Sequence, residues 1–154
     1  MLAGLDALRR VLAAELPVTQ HLGIGVESED ANGLVLSLPL APNRNHQGGI
    51  FAGSLNAVAT LTGWALLWLV LRRAASEAVV VIQDSTIEYL RPVAEDCRTR
   101  CPWPEPRMLD RFLETLTRHH RARLSLTVEV VAAGGPVATF AGRYVAIRPR
   151  GSSA

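Results

Sequence analysis

Lysine is absent from the 154 residues, and every basic side chain is an arginine. The 14 acidic residues leave a formal charge of only +2, and no segment interleaves basic with aromatic side chains, so no nucleic-acid surface is expected. Cysteine is scarce: Cys97 and Cys101 are the two thiols. On a strand they stand about 13 Å apart, beyond disulfide reach. No histidine or cysteine cluster at the usual spacing completes a metal site. Two reduced thiols, no metal and a cytoplasmic setting are therefore expected. Asp6 and Glu15 interrupt any cationic start with an unbroken apolar run, so no secretory signal is evident. The absence with most chemistry in it is local: no Asp or Glu occurs between Asp30 and Glu77.

Inside that gap lies Asn45-His46-Gln47-Gly48-Gly49-Ile50-Phe51-Ala52-Gly53-Ser54-Leu55-Asn56, opening a long uncharged helix expected at about 49–71. Glycines, backbone N–H groups and uncharged polar side chains at a helix N-terminus can hold an oxyanion or polarise a carbonyl. The span Ile50 to Leu71 is long enough to cross a membrane. It also holds Gly53, Ser54, Asn56, Thr60, Thr62 and Gly63, within a chain that is otherwise amphipathic. A helix apolar on every side is equally suited to burial within protein, and no membrane insertion is expected.

The flanking patterns say what buries it. Leu5, Leu8, Leu12 and Leu16 recur at helical spacing, giving a short helix over 4–16 that Pro17 ends. Val18 to Glu29 and Gly33 to Leu40 read as strands about an Asn32-Gly33 turn. Val79 to Leu90, Glu95 to Trp103, the alternating segment Leu124 to Val130, and Val137 to Ile147 read as further strands, the last two joined by Gly134-Gly135. Arg107 to Arg118 fits a helix or an irregular strand, and 149–154 forms a loose tail. One helix buried all round needs a sheet curved about it, and the small residues Ala52, Asn56, Ala59 and Gly63 would let the sheet approach. The expected architecture is a single α+β domain over 1–154: the hot-dog fold, a curved antiparallel sheet around one central helix. A protomer leaves such a helix partly uncovered, so a homodimer or dimer of dimers is expected.

The segments Pro39 to Asn45, Gly48 to Leu55 and Gly63 to Trp68, with Ser85-Thr86-Ile87-Glu88-Tyr89-Leu90-Arg91-Pro92-Val93, resemble the YiiD C-terminal domain family. The resemblance implies a hot-dog fold and action on acyl thioesters. Members have been labelled as thioesterases and associated with decarboxylating malonyl-acyl carrier protein, which primes fatty acid synthesis. Its substrate would arrive on the phosphopantetheine of acyl carrier protein or coenzyme A, with no cofactor in the protein. Better-known hot-dog thioesterases resemble His-Gly-Gly followed by an Asp or Glu on the helix. Here Gln47 stands at the histidine position and Asn56 at the acid. An amide is no base at neutral pH.

Malonyl decarboxylation does not need that base. Carbon dioxide leaves, charge flows onto the thioester oxygen, and selective stabilisation of that charge accelerates the step. A neighbouring carboxylate would repel the malonyl group. Asn45 and the backbone N–H groups of Gly49 and Ile50 are the expected oxygen donors, with Gly48 and Phe51 beside the substrate. Ser54 and Asn56 would orient the malonyl carboxylate or pass a proton to the enolate, and Asn56 equally suits a buried backbone contact. His46 is a candidate proton donor or a solvated loop residue. Asp84 is either an exposed strand residue near a sheet edge or a carboxylate supplied by a partner chain as the base that the helix lacks, which would restore hydrolysis. A non-catalytic acyl-thioester binding module is the remaining alternative. Trp64 and Trp68 suit the core or a tunnel wall. Arg91, Arg118, Arg121, Arg123 and Arg143 would meet a phosphate or an acidic carrier protein if they gather on one rim.

Overall fold

Helix α3, Ala52–Arg73, is the axis of the computed structural model, which describes residues 2–149. Leu66, Leu67, Leu69 and Leu71 on it are almost fully buried. Each contributes about 1.5–3 kcal/mol by leaving water. What covers them is a six-stranded antiparallel sheet in the order β1-β2-β4-β5-β6-β3. Its strands are β1 (Gly25–Asp30), β2 (Gly33–Leu38), β3 (Val79–Tyr89), β4 (Cys97–Cys101), β5 (Arg121–Ala132) and β6 (Gly135–Ile147). Five of them, β2 to β6, pack against α3. Strict alternation on β5 turns Ala122, Leu124, Leu126, Val128 and Val130 inward and leaves Arg121, Arg123, Ser125 and Thr127 in water. This is the hot-dog architecture. By length and composition α3 would cross a membrane, yet here it lies mostly buried inside the protein.

Two contacts fix the helix against the sheet. Thr62 Oγ1 and Thr99 Oγ1 share a buried hydrogen bond of 2.6 Å between α3 and β4. On β6, Tyr144 donates its hydroxyl to the Thr60 carbonyl at 2.7 Å, and its ring fills the space beside Gly63. A Cβ on Gly63 would come 2.6 Å from the Tyr144 Cζ. The small-residue stripe expected from the sequence therefore divides. Ala59 and Gly63 meet the sheet side, while Ala52 is exposed and Asn56 faces a cavity.

Several expected boundaries shift. Val18 to His21 is not strand: Pro17–His21 forms helix α2, and β1 begins only at Gly25. Pro17 is pre-set for the first turn of a helix, and Thr19 bonds back to the Leu16 carbonyl at 2.8 Å. Helix α1 spans Leu2–Glu15. The ambiguous segment after Pro104 is helix α4, Pro106–His119, burying Phe112 and Leu116 and closed by His120 in the left-handed conformation. The central helix starts at Ala52 rather than 49, because the preceding residues are held in a turn. Of the expected tail, residues 150–154 lie outside the described residues.

Candidate active site

That turn is built by Asn45. Its Oδ1 accepts from the Gln47 N–H at 2.9 Å and the Gly49 N–H at 3.1 Å, and its backbone carbonyl accepts from Gly48. Gly48 sits at φ +85°, where a side chain would be strained, and a Cβ on Gly49 would meet the Val93 carbonyl oxygen at 2.9 Å. The Ile50 N–H donates to that same Val93 oxygen at 2.8 Å. The Gly49 and Ile50 donors expected to hold a thioester oxygen are thus already spent on the protein's own acceptors, as is the Asn45 Nδ2, which donates to the Ile50 carbonyl at 3.4 Å. A turn tight enough to enter the helix at this angle consumes its own N–H groups.

The free donors lie three residues further on. Phe51 at the helix N-cap has no side-chain oxygen to offer. Its own N–H bonds to Asn43, and its carbonyl takes the N–H groups of Ser54 and Leu55. Ala52 and Gly53 are exposed, and no acceptor among the described residues meets their N–H groups. They carry the partial positive charge of a helix of 22 residues. Tyr89 steadies this first turn by donating to the Ala52 carbonyl at 3.1 Å. The Phe51 ring lies over Gly53, within 2.8 Å of where a Cβ would stand.

From Gly53 a cavity of about 520 Å³ runs along α3 past Asn56, Ala57, Thr60, Leu61 and Trp64. Its second wall is Val18, Thr19, Leu22 and Ile24, and its third is Ile82 with Tyr144. The lining is mostly apolar. At its head the Asn56 Oδ1 is buried without a hydrogen-bond partner. A buried carbonyl oxygen left unpaired costs stability until a partner reaches it. Glu15, at the end of α1, is the one acidic residue among the lining.

The other expected site residues separate from this pair. Ser54 is buried and does not line the cavity that Asn56 faces. Two helical residues put it about 200° around the helix from Asn56, so the two cannot serve one ligand. His46 is an exposed loop residue whose side chain has no hydrogen-bond partner among the described residues. A smaller cavity of about 490 Å³ beside the turn is lined by Asn45, Gln47, Gly49, Ile50, Ala52 and Tyr89, so Ala52 and Gly53 stand between the two cavities.

Asp84 lies on the outer face of its own sheet. Register pairs Ile82 with Tyr144, which points inward, and after a β-bulge pairs Asp84 with Arg143, which points outward. There Arg143 Nε donates to Asp84 Oδ2 at 2.9 Å. Both side chains are about half exposed, so the ion pair contributes less than about 1 kcal/mol. Asp84→Asn is accordingly expected to leave thioester turnover within twofold and the urea midpoint nearly unmoved. A tenfold loss of turnover would return it to the site.

The arginines gather only in part. Arg121, Arg123 and Arg143 share the outer sheet face, where Arg123 also bonds Gln83 at 2.9 Å. Arg91 is turned to the β5–β6 hairpin, donating to the Ala133 and Gly135 carbonyls, and Arg118 ends α4. Burial pushes the Cys97 thiol up to about 11, with help from Asp96 and Glu95, and burial alone pushes Cys101 up to about 12. Neither is a nucleophile at neutral pH.

The family described as "Putative thioesterase (yiiD_Cterm)" matches residues 5–148. The chain belongs to this family. Among solved structures, a thioesterase-like protein from Shewanella oneidensis is 32% identical, with 96% of this chain and 99% of that one covered at a TM-score of 0.86. A protein of unknown function from Chlorobaculum tepidum is 26% identical, with 94% of each chain covered at a TM-score of 0.90. The Escherichia coli PaaI protein, at 16% identity, 94% coverage of each chain and a TM-score of 0.65, shares the fold. Family membership makes this a hot-dog protein of the thioester-acting kind.

Sequence reasoning missed Gly53, Ala57, Thr60, Ile82, Glu15 and α2 as parts of the site. The signal was there in one respect. Gly53, Asn56, Ala57, Thr60 and Trp64 recur at three- and four-residue steps, a single face of the helix.

Proposed function

We propose that this protein decarboxylates a malonyl thioester carried on acyl carrier protein or coenzyme A. The observation that carries the reading is Asn56, a half-buried amide lining an apolar cavity with its Oδ1 unpaired, one turn from the free Gly53 N–H. The thioester oxygen would rest on the Ala52 and Gly53 N–H groups. The carbon–carbon bond to the carboxylate breaks, carbon dioxide leaves, and its electron pair becomes an enolate on that oxygen. A proton from water then converts the enolate to an acetyl thioester. The Asn56 side chain orients the malonyl carboxylate through its amide N–H, and the apolar walls keep water from stabilising that carboxylate. One good donor at the enolate oxygen lowers the barrier by about 3 kcal/mol. The reaction calls for no resident cofactor.

The active unit in this proposal is a homodimer. Strand β3 is a sheet edge of 11 residues, exposed over most of its length and carrying Val79, Val81, Ile82 and Tyr89. An apolar edge left open invites pairing with another chain. A second copy is the natural occupant, and it would also roof the open side of the cavity beside Ile82. Two unpaired, buried thiols fit a reducing cytoplasm.

Hydrolysis is the second reading, favoured by one observation: Glu15 lines the same cavity as Asn56. Incubation with malonyl-acyl carrier protein, measuring carbon dioxide and free thiol together, separates the two. Carbon dioxide without thiol is expected, and Glu15→Gln should leave it within a few-fold. Free thiol that disappears in Glu15→Gln would establish the hydrolase instead. A thioester recovered unchanged would make the protein a binding module.

A further inference from the structure

Gly53 lies in the first turn of α3 without a positive φ, so its backbone does not call for glycine. Glycine is also a poor helix former. What demands it is the Phe51 ring, whose Cζ and Cδ1 would stand 2.8 and 3.0 Å from a Cβ at this position. A helical Cβ tilts toward the helix N-terminus, the direction in which the free N–H groups also point. The ring therefore sits on the N-terminal rim of α3, within about 5 Å of the Gly53 nitrogen.

The base of this side chain is fixed and its tip is not. The Phe51 N–H donates to the Asn43 carbonyl at 2.8 Å, and its carbonyl accepts from the Ser54 N–H at 3.0 Å and the Leu55 N–H at 3.2 Å. The residue is nonetheless 56% exposed. A ring on an anchored backbone with an open outer face can turn about χ1 and leave the helix undisturbed. Closed, it keeps water from the helix end, and a donor in a water-poor setting holds a developing negative charge more strongly.

We infer that Phe51 is a hinged cover for the donors of α3. Its ring shields the Gly53 N–H from water in the free protein, swings aside to admit the thioester oxygen and closes over it. Gly53 is the seat that lets the ring close. The catalytic consequence rests on the acyl-thioester reading above, whereas the cover itself is a property of the free protein.

The test begins with amide hydrogen exchange, followed by NMR on the full chain without substrate. The Gly53 N–H has no acceptor among the described residues, yet it should exchange at least about tenfold more slowly than an open chain of the same sequence. Phe51→Ala should remove that protection. Gly53→Ala should remove it at the same position by pushing the ring aside. The atoms it meets are the far end of a mobile side chain and alanine favours the helix, so this variant folds. With a malonyl thioester, each variant should lose about tenfold in kcat for carbon dioxide release, and the double variant no more than either, because each removes the same cover. Exchange at the open-chain rate in the wild type overturns the inference, as does protection that survives Phe51→Ala. An unchanged kcat in both variants, or losses that add in the double variant, overturns the catalytic part. Protection released by both variants, in a protein that makes no carbon dioxide from a malonyl thioester, would sustain the cover and overturn the decarboxylase reading alone.

Discussion

Asn56→Asp should cut carbon dioxide release from a malonyl thioester at least a hundredfold, about 3 kcal/mol of barrier, and should begin to release free thiol. The substitution changes charge and almost nothing in shape, so the helix and cavity are retained. A carboxylate at the cavity head repels the malonyl carboxylate and, one turn from the Gly53 N–H, can take a proton from water. Apolar walls raise its pKa while the helix N-terminus lowers it, so thiol release should climb with pH as this group ionises. Asn56→Ala supplies the control on stability. Because Oδ1 is buried and unpaired, its removal strands no partner and should cost the fold less than about 1 kcal/mol while activity falls. A residue that lowers activity without stabilising the fold is there for a ligand. Carbon dioxide release equal to wild type in both variants would remove Asn56 from the chemistry and take the decarboxylase mechanism with it.

Gly63→Ala should destabilise the protein by about 3 kcal/mol, the upper range for adding a methyl group to a packed core. The new Cβ would meet the Tyr144 hydroxyl, Cζ at 2.6 Å and Cε2 at 2.7 Å, and that ring is fully buried with its hydroxyl tied to Thr60. No side-chain rotation relieves the contact, so the helix and β6 must part. Chemical denaturation gives the sign and size directly. Tyr144→Ala alone should cost about 3–5 kcal/mol as a buried aromatic truncation. In that background Gly63→Ala should cost far less, because the methyl group enters the space the ring has left. Additive losses in the double variant would mean that the two residues do not share one contact. Burial also pushes the Tyr144 hydroxyl well above its ordinary value, with Cys101 adding to the shift and the Trp64 backbone N–H opposing it. The hydroxyl therefore remains a donor to Thr60 at neutral pH.

The chain's one-dimensional pattern determined much of the protein. Uncharged from Ile50 to Leu71, the central helix had to be buried, and the alternating runs around it had to be the sheet that buries it. The same pattern showed that no helix carboxylate stands where Asn56 does, which separates this site from one built to activate water. Gly48 and Gly49 were legible as a turn before a helix, although not as a turn that spends its own donors.

What only the tertiary structure decided depends on partners distant in sequence. Val93 is 43 residues beyond Ile50, and its carbonyl is what occupies the Ile50 N–H and moves the free helix end to Ala52 and Gly53. A one-residue bulge at Gln83 governs which face Asp84 takes, and a strand's alternation after a bulge cannot be counted from sequence alone. Val18 to Leu22 alternates well enough to pass for a strand, yet Pro17 and the Thr19 hydroxyl bonds make it a helical turn that walls the cavity. Periodicity fixes which residues must leave water; hydrogen bonds between remote segments fix which donors and carboxylates remain to meet a substrate.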